Sequence, residues 1–355
     1  MTAPAFDGAP GAGRRVLVAL SGGVDSAVCA QLLRRQGYAA EGAVIRFSPA
    51  HEGAVKAARA AAAQLGIPLH VIEGGPLFDE AVALPFCESY CRGETPNPCV
   101  ICNPRVKFRL LADTADALGI RLLATGHYAR VRRDADGACR VYAAASPARD
   151  QSYMLYRLGQ DILRRLLLPL GGLEKPAIRE MARQGGLACA DAPDSMELCF
   201  VPDGNYAAYI QARGFACPAG HFIAPDGRDL GPHKGIAHYT VGQRKGLGVA
   251  LGQPVFVQRI LPGGDIQLAF AGGEWAGRLR LREICTPTGA PLPAGAYAVK
   301  IRSAARPVPC TFDGADGVAF AAPVRAPAPG QSAVFYRDGA VMGGGLITET
   351  QPAQG

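Results

Sequence analysis

A short glycine-containing segment near the amino terminus combines the groups that bind phosphate. Ser21–Ser26, with the sequence SGGVDS, follows the apolar run Val16–Leu20 and precedes apolar residues at helical spacing. A loop between a strand and a helix leaves backbone N–H groups free at the helix amino terminus, where the helix dipole favours an anion. The glycines let a phosphate approach the main chain, and both serines can donate hydrogen bonds. Asp25 would repel a bare phosphate, so we expect a Mg²⁺ ion between this carboxylate and the phosphate.

The segment differs from the Walker phosphate loop, which needs a lysine after its second glycine, and from the dinucleotide-binding fingerprint. It resembles the Ser-Gly-Gly-x-Asp-Ser loop of the ATP pyrophosphatases. Those enzymes split ATP into AMP and pyrophosphate and place the adenylyl group on a carbonyl oxygen. The alternative is an ordinary strand-to-helix turn with a serine cap. Six matching positions between a strand pattern and a helix pattern favour ATP binding.

Three cysteines are the second set of reactive side chains. Cys99 and Cys102 form a Cys-x-x-Cys pair, and Cys199 is remote from them in sequence. Such a pair alone is compatible with a redox couple, half of a zinc site or the ligands of a metal cluster. Structural zinc requires four ligands, which Cys87 and Cys91 could complete, but the spacing is irregular. Spacing alone therefore leaves these alternatives open.

Two prolines, Pro96 and Pro98, lie just before and within this region. Because proline lacks an N–H group and its ring disfavours a helix interior, we predict that Cys99 and Cys102 lie on a constrained loop rather than on a helix.

Two basic segments each have two interpretations. Arg105, Lys107 and Arg109 form either a solvated helix face or, because they follow the cysteines closely, a set of phosphate contacts. Gln243–Gly248 is either a solvated turn or a contact for an RNA backbone. The net charge of +7 suits a polyanionic partner, although charge alone is weak support.

The composition describes an ordinary globular protein, with 355 residues, 49% hydrophobic residues and 19% charged residues, and the length predicts two or three domains. No apolar run is long enough to span a bilayer. Residues 1–13 lack the basic region and apolar core of a signal peptide, so we expect a flexible leader and a cytoplasmic protein. In a reducing compartment the eleven cysteines are thiols, metal ligands or redox groups rather than a disulfide framework. The remaining cysteines are expected to be buried and inert: Cys29, Cys139, Cys189, Cys217, Cys285 and Cys310.

The elements that must position these residues alternate between strands and helices. Strand patterns near residues 16–20, 42–47, 69–72 and 121–125 are separated by helical patterns, which predicts a parallel α/β sheet. Ligands bind beyond the carboxyl ends of the strands of such sheets. The Ser21 loop, the segment after Phe47 and Gly126-His127-Tyr128 should therefore meet at one crevice. A structural role for His127 is an equally good interpretation. Further helices are predicted near residues 53–65, 78–90, 105–118, 175–184 and 206–213, and Arg149–Tyr153 should open another.

The pattern changes after Asp203, where short β runs replace most helices. Four turn signals separate these runs: Asp226-Gly227, Gly263-Gly264, Asp313-Gly314 and Asp338-Gly339. We predict a catalytic domain at 14–203, a small middle domain at 204–275 and a carboxyl-terminal β-barrel at 276–350.

Taken together, the motifs resemble one family over nearly the whole chain, the bacterial tRNA-specific 2-thiouridylases. The order and spacing of the matching segments are more specific than any one of them. The segments are Ser21–Ser26, Thr95–Pro98, Cys102-Asn103, Ala124–Tyr128, Asp150–Tyr153, Asp194-Ser195, Cys199-Phe200, Thr240–Gly248, Pro329–Tyr336 and Gly343–Gly345. Two departures are Cys99, where some members carry Asp, and a shortened stretch after Phe47. The resemblance implies an adenine nucleotide alpha hydrolase-like (PP-loop) domain, followed by a small middle domain and a β-barrel.

The resemblance also implies roles for individual residues. ATP, with Mg²⁺ held through Asp25, would contact Ala19, Leu20, Ser21, Gly22, Gly23, Val24, Asp25, Ser26, Ile45 and Gly126. Cys199 would carry a persulfide, and Cys102 would be the nucleophile that releases the sulfur and leaves a Cys102–Cys199 disulfide. A competing account makes Cys99, Cys102 and Cys199 the ligands of an iron–sulfur cluster.

The remaining implied residues contact RNA, and the implied activity is 2-thiolation of the wobble uridine of tRNAs for Lys, Glu and Gln. The target base, splayed out of the anticodon loop, would lie beside Asn97, Pro98 and Cys99. Other tRNA contacts would come from His127, Arg149, Asp150, Gln151, Arg302, Ser303 and Gln331. The implied partners are tRNA and a sulfur donor, either a cysteine desulfurase or a relay carrier. Two other functions remain open: another adenylating ATP pyrophosphatase that acts on a small carbonyl compound, and a non-catalytic tRNA-binding or sulfur-carrier module.

Overall fold

The computed structural model describes residue 11, residues 13–194 and residues 198–353. Most of the predicted leader and Ser195 of the Asp194-Ser195 motif lie outside the described residues. The helices are α1 Val24–Arg35, α2 Glu52–Leu65, α3 Gly75–Phe78, α4 Leu84–Cys91, α5 Pro98–Cys102, α6 Phe108–Ala117, α7 Gln160–Leu163, α8 Lys175–Gln184 and α9 Tyr206–Ala212. The strands are β1 Arg15–Ala19, β2 Ala39–Arg46, β3 Leu69–Glu73, β4 Leu122–Ala124, β5 Ala129–Arg133, β6 Cys139–Ala143, β7 Leu166–Leu167, β8 His221–Ile223, β9 Asp229–Pro232, β10 Val255–Ile260, β11 Ile266–Phe270, β12 Trp275–Cys285, β13 Gly295–Lys300, β14 Val308–Phe312, β15 Gly317–Arg325, β16 Ser332–Arg337 and β17 Ala340–Pro352.

The amino-terminal part contains the predicted parallel sheet. Its strand order is β3-β2-β1-β4-β7, and each neighbouring pair is parallel. Val16, Leu17 and Val18 of the central strand have no exposed surface, because helices cover both faces of the sheet. The carboxyl ends of β1, β2 and β4 consequently bring the Ser21 loop, the Phe47 segment and Gly126 to one edge. The predicted α/β class is confirmed.

Helix boundaries follow local chemistry where the predictions relied on it. α2 ends at Gly66, whose left-handed conformation (φ 59°) closes the last turn. α8 begins with Pro176 in its first turn and ends before Gly185, as predicted. The helix expected after Arg149 is only a 3₁₀ turn at Ser152–Leu155.

The prediction of a loop at the Cys-x-x-Cys pair was wrong. Cys99 and Cys102 lie on α5, which begins at Pro98 and continues through a π-helical turn at Asn103–Lys107 into α6. Proline is tolerated in the first turn of a helix because no intrahelical partner is needed for an N–H group at that position. The prolines therefore mark where the helix begins rather than forbid it.

The middle region forms a four-stranded sheet in the order β10-β11-β8-β9. Both of its predicted turns are present, since Asp226-Gly227 connects β8 to β9 and Gly263-Gly264 connects β10 to β11. Gly227 and Gly264 have φ values of 87° and 100°, which explains why glycine is needed there.

The carboxyl-terminal strands close into a six-stranded barrel, β12-β15-β14-β13-β16-β17, through the β12–β17 pairing. The predicted turns Asp313-Gly314 and Asp338-Gly339 connect consecutive strands of this barrel. The hairpin β5–β6 was not predicted. It extends the barrel sheet by pairing Tyr142 with Ala340, so chain from the amino-terminal part belongs to the barrel sheet.

Buried polar contacts fasten the barrel to the amino-terminal part. Asp150 and Lys300 form an ion pair of 3.1 Å with side chains only 6% and 5% exposed. Tyr153 donates a hydrogen bond from its hydroxyl to the Ser332 carbonyl oxygen, at 2.9 Å. These contacts hold the barrel against the part of the chain that carries the glycine loop.

Two expectations about the cysteines are contradicted, because Cys91 and Cys217 form a disulfide and because Cys189 and Cys285 are only partly buried. Cys217 is therefore not an inert buried thiol, and Cys91 is not available as a zinc ligand. The bond joins the end of α4 to the segment after α9. Spacing could not reveal it, because the partners are 126 residues apart. Within the described part of the chain, no helix has the length and apolarity needed to cross a membrane.

Candidate active site

One cavity of about 470 Å³ joins the two sets of reactive residues that the sequence keeps apart. The glycine loop contributes one wall, and the Cys-x-x-Cys helix and the Cys199 segment contribute the other. Lining residues include Ser21, Asp25, Cys99, Cys102, Cys199 and Lys107. Gly126, His127, Gln151, Pro98 and Ile45 also line it. The cavity therefore places a phosphate loop and three thiols within reach of one bound nucleotide.

The conformation of the glycine loop depends on close packing at Gly22. Its φ is 82°, and a Cβ atom there would lie 2.4 Å from the Ala57 side chain. Gly23 has an ordinary φ, and an added Cβ atom would make only an ordinary contact with Ser21 Oγ at 3.6 Å, so the protein's own packing does not require glycine there. Ser26 accepts a hydrogen bond from the Ser21 N–H at 3.1 Å, which orders the loop before any ligand binds.

Gly126 approaches the same loop from β4. A Cβ atom at Gly126 would lie 2.9 Å from the Asp25 carbonyl carbon and 3.0 Å from the Ser26 nitrogen. Close packing alone is thus a sufficient reason for glycine here. Its place in the cavity wall remains compatible with the implied nucleotide contact.

Asp25 is held by two side chains that come from separate elements. The Tyr128 hydroxyl donates to Asp25 Oδ1 at 2.6 Å, and Lys175 Nζ donates to both carboxylate oxygens at 2.8 and 2.9 Å. Lys175 is only 6% exposed and also lies 2.8 Å from Asp194 Oδ1. The ion pairs link the glycine loop to Asp194, which lies five residues before Cys199.

Lys175 is absent from the predicted site residues. The sequence could have indicated an anionic partner for it, because a lysine in the first turn of a helix interacts unfavourably with the helix dipole. The identity of that partner depends on the fold, since Asp25 is 150 residues away.

The residues fit a Mg²⁺ ion that arrives with a phosphate ligand. No group of three His, Cys, Asp or Glu side chains that could hold a metal exists among the described residues. Mg²⁺ is commonly bound by one or two carboxylates together with phosphate oxygens and water. Asp25 can be that carboxylate, because its side chain is 34% exposed. Its oxygens would then contact both Lys175 and the Mg²⁺ ion.

The same observation does not support an iron–sulfur cluster. Cys99, Cys102 and Cys199 all lie in the described chain and line one cavity, yet they do not form a metal-holding group. All three are free thiols in this structure, so the implied Cys102–Cys199 disulfide is not formed here.

The surrounding protein keeps the thiols protonated. Burial raises the pKa of Cys102 to about 12, while Lys107 acts in the opposite direction and the neighbouring Cys199 adds to the rise. Burial and the nearby Cys99 raise the pKa of Cys199 to about 11, although the residue is exposed at the cavity wall. Cys99 and Cys199 both act on Cys102, and Cys99 also acts on Cys199, in agreement with the position of the three thiols in one cavity. Both thiols therefore need a proton acceptor or a change of surroundings before they react as thiolates.

His127 is uncharged at neutral pH. Burial, reinforced by Lys107, lowers its pKa well below the ordinary value. The ring stacks on Phe108 and lies 2.7 Å from Thr125 Oγ1 through Nδ1. His127 can thus form hydrogen bonds inside the cavity but supplies no positive charge for RNA.

Several of the predicted tRNA contacts lie near the cavity. Asn97 Nδ2 lies 3.5 Å from the Met154 sulfur. Arg149 forms an ion pair of 2.7 Å with Asp194, and Gln151 accepts a hydrogen bond from the Tyr128 N–H at 2.9 Å. Of these three residues, Gln151 lines the cavity, whereas Asn97 and Arg149 are not part of its lining.

Other predicted contacts are structural or lie elsewhere. The buried pair with Lys300 leaves only the main chain of Asp150 for contact with RNA. Arg302 donates to the Ala326 carbonyl oxygen at 2.6 Å, and neither Arg302 nor Ser303 lines the cavity. Gln331 donates to the Thr95 carbonyl oxygen at 2.7 Å, which ties the barrel to the chain that leads into α5.

Comparison with known proteins places this architecture in a family. The chain is 42% identical over 360 residues to tRNA-specific 2-thiouridylase MnmA of Carboxydothermus hydrogenoformans, covering 94% of this chain and 97% of that protein. The chain belongs to the MnmA family. Another MnmA, from Methylobacterium sp. (strain 4-46), is 42% identical over 373 residues, covering 96% of each protein. The resemblance predicted from the motifs is confirmed.

Family models and a solved structure describe the parts of this MnmA-family chain. Residues 14–203 match the tRNA methyl transferase HUP domain, residues 209–264 the tRNA methyl transferase PRC-barrel domain and residues 286–347 the aminomethyltransferase beta-barrel domain. A solved 4-thiouridine synthetase–RNA complex with bound ATP is 18% identical, covers 56% of this chain and 50% of its own, and has a TM-score of 0.37.

Proposed function

We propose that this chain catalyses the ATP-dependent 2-thiolation of the wobble uridine in tRNAs for Lys, Glu and Gln. The observation that carries the proposal is the single cavity that contains both the glycine loop and the thiols of Cys102 and Cys199. An enzyme that only adenylates a metabolite has no need for thiols in that cavity. Membership of the MnmA family, whose named members are tRNA-specific 2-thiouridylases, supports the same substrate class.

The first step makes the uracil oxygen a leaving group. The C2 oxygen of uridine attacks the α-phosphorus of ATP, the bond from that phosphorus to the bridging oxygen breaks, and pyrophosphate departs. Backbone N–H groups at the start of α1 and the hydroxyls of Ser21 and Ser26 receive the pyrophosphate. Mg²⁺ held by Asp25 would supply positive charge for the phosphates.

The second step delivers sulfur. A persulfide-bearing donor transfers its outer sulfur to Cys199, and the Cys102 thiolate then attacks the Cys199 Sγ atom. This attack forms the Cys102–Cys199 disulfide and releases hydrosulfide, which adds to C2 while AMP departs with the original oxygen. A thiol reductant restores the two thiols.

The tRNA is held by surfaces around the cavity mouth. Asn97, Pro98 and Cys99 would contact the splayed base, and His127, Arg149 and Gln151 would contact adjacent nucleotides. The barrel, with Arg302, Ser303 and Gln331, would grip the anticodon arm. Domain boundaries at 203 and 275 and a cytoplasmic location are parts of the same proposal.

Nucleoside mass spectrometry tests the proposal directly. Undermodified tRNA is incubated with the protein, ATP and a sulfide source, and we expect 2-thiouridine to form only when ATP is present. Absence of 2-thiouridine, together with absence of tRNA-dependent AMP release, would contradict the function. Protein purified without oxygen and shown to be free of iron should keep full activity, whereas a strict iron requirement would replace the persulfide route with a cluster.

A further inference from the structure

The three basic residues that follow the Cys-x-x-Cys pair do not share one environment. Arg105 and Arg109 are exposed, whereas Lys107 is half-buried and lines the cavity. Lys107 is the last residue of the π-helical turn between α5 and α6, and its N–H group hydrogen-bonds to Cys102. A π-helical turn shifts the subsequent side chains around the helix, and such turns are frequent at functional sites. This turn directs Lys107 toward the thiols and leaves the two arginines outside.

Lys107 has no acidic partner among the described residues, so its charge is not balanced within the cavity wall. The carboxylate among the described lining residues, Asp25, is already paired with Lys175. His51 and His127, which also line the cavity, are uncharged because burial lowers the pKa of each. A partly desolvated ammonium group without a counterion is unfavourable. Within the described part of the chain, the cavity wall thus offers no unpaired carboxylate to balance Lys107, which favours an anionic ligand there.

The position of Lys107 indicates which anion this is. Lys107 lies close enough to influence Cys99, Cys102, Cys199 and His127, and His127 follows Gly126 of the nucleotide wall. The pyrophosphate portion of a nucleotide belongs at the glycine loop, at the other wall. The group that must lie between that loop and the thiols is the α-phosphate.

We propose that Lys107 binds the α-phosphate of ATP and continues to bind the same phosphate after transfer, as the AMP group on the activated base. This inference rests on the proposed function, because it assumes that an adenylyl group is formed in this cavity. The ammonium group donates to non-bridging oxygens of the phosphate, which are negatively charged both in ATP and in departing AMP. Lys107 therefore acts in nucleotide binding, whereas Arg105 and Arg109 do not.

Equilibrium binding of AMP and adenosine to the full-length protein tests this without any tRNA. The useful quantity is the Kd for adenosine divided by the Kd for AMP, because this ratio isolates the contribution of the phosphate. We expect Lys107→Gln to lower the ratio by about tenfold, which corresponds to loss of one charge-assisted hydrogen bond, while the adenosine Kd stays unchanged. Lys107→Arg should keep most of the preference for AMP.

Matched controls come from the same segment. Arg105→Gln and Arg109→Gln remove the same charge two residues away on each side and should leave the ratio unchanged. If Lys107→Gln does not fold, as judged by thermal unfolding, Lys107→Met provides the second neutral variant. An unchanged ratio in a folded neutral variant would overturn the inference. Slower alkylation of the cysteines in that variant would not rescue it, because alkylation reports on the thiols and not on the phosphate. If the unaltered protein bound neither AMP nor adenosine, the ATP-dependent function itself would fail, which is a distinguishable result.

Discussion

The two walls of the cavity differ in whether their charged groups already have partners in the protein. At the glycine loop, Asp25 already has its partners Lys175 and Tyr128, and Ser26 already orders the main chain. At the opposite wall, the thiols are protonated and Lys107 lacks a counterion among the described residues. The loop is thus preorganised for phosphate, whereas no carboxylate in the described part of the thiol wall pairs with Lys107. This difference suits a reaction in which activation by ATP precedes sulfur chemistry.

The largest expected effect comes from removing a thiol while leaving the loop intact. Cys199→Ser should reduce 2-thiouridine formation by about a thousandfold or more, because serine cannot carry a persulfide. Release of pyrophosphate in the presence of tRNA should persist, since the glycine loop is unaltered. Both products are measured in one assay, by nucleoside mass spectrometry and a pyrophosphate assay. Cys285→Ala is the control, and full thiolation by Cys199→Ser would contradict the assigned role.

Gly22→Ala tests whether the loop wall depends on its tight backbone. The added methyl group meets Ala57 and the residue must keep a left-handed φ of 82°, so we expect the free energy of unfolding to fall by about 3 kcal/mol. ATP binding should weaken as the loop shifts.

Gly66→Ala is the matched control for this change. Gly66 also has a positive φ, 59°, but nothing lies within 4 Å of the added Cβ atom. We expect the free energy of unfolding to fall by only about 1–2 kcal/mol and the ATP affinity to stay unchanged. Denaturant unfolding and equilibrium ATP binding provide the two measurements, and equal losses in both variants would contradict the packing argument.

Lys175→Met should weaken the link between the loop wall and the Cys199 segment. The substitution leaves Asp25 and Asp194 without their shared cation. We expect the free energy of unfolding to fall by about 2 kcal/mol, because both carboxylates are partly exposed. In the folded protein Lys175 lowers the pKa of Asp194, with Arg149 also contributing. That stabilisation is present at neutral pH and is lost as the pH falls through the lowered pKa. Urea unfolding should therefore show a larger difference in the free energy of unfolding between the variant and the unaltered protein at pH 7 than at pH 3. An equal difference at the two pH values would refute this link.

The smallest effect concerns the resting thiols. Because burial raises the pKa of Cys199 to about 11, alkylation by iodoacetamide should be slow at pH 7 and should rise about tenfold per pH unit toward that value. Peptide mass spectrometry measures the rate at each pH. A plateau near pH 9 would mean that the Cys199 thiol is not desolvated and that the two walls differ less than we infer.

Much of the site was predictable because its parts are encoded locally. The SGGVDS segment was interpreted as a phosphate loop because a strand pattern precedes it and a helix pattern follows it, and both elements are present as β1 and α1. The turns at Gly227 and Gly264 also result from short-range backbone sterics. Pro98 was misinterpreted because the same proline that interrupts a helix interior is favourable in a first turn, and the choice depends on whether the next residues continue the helix.

The amino-acid sequence alone determined the strands of the parallel sheet and most of the helices between them, the phosphate loop and the presence of reactive cysteines, because periodicity and turn chemistry act over a few residues. The packing of the folded chain decided which charges meet. Lys175 with Asp25, Asp150 with Lys300 and Cys91 with Cys217 are pairs separated by more than a hundred residues. Their pairing depends on how sheets and helices pack, and no local pattern carries that information.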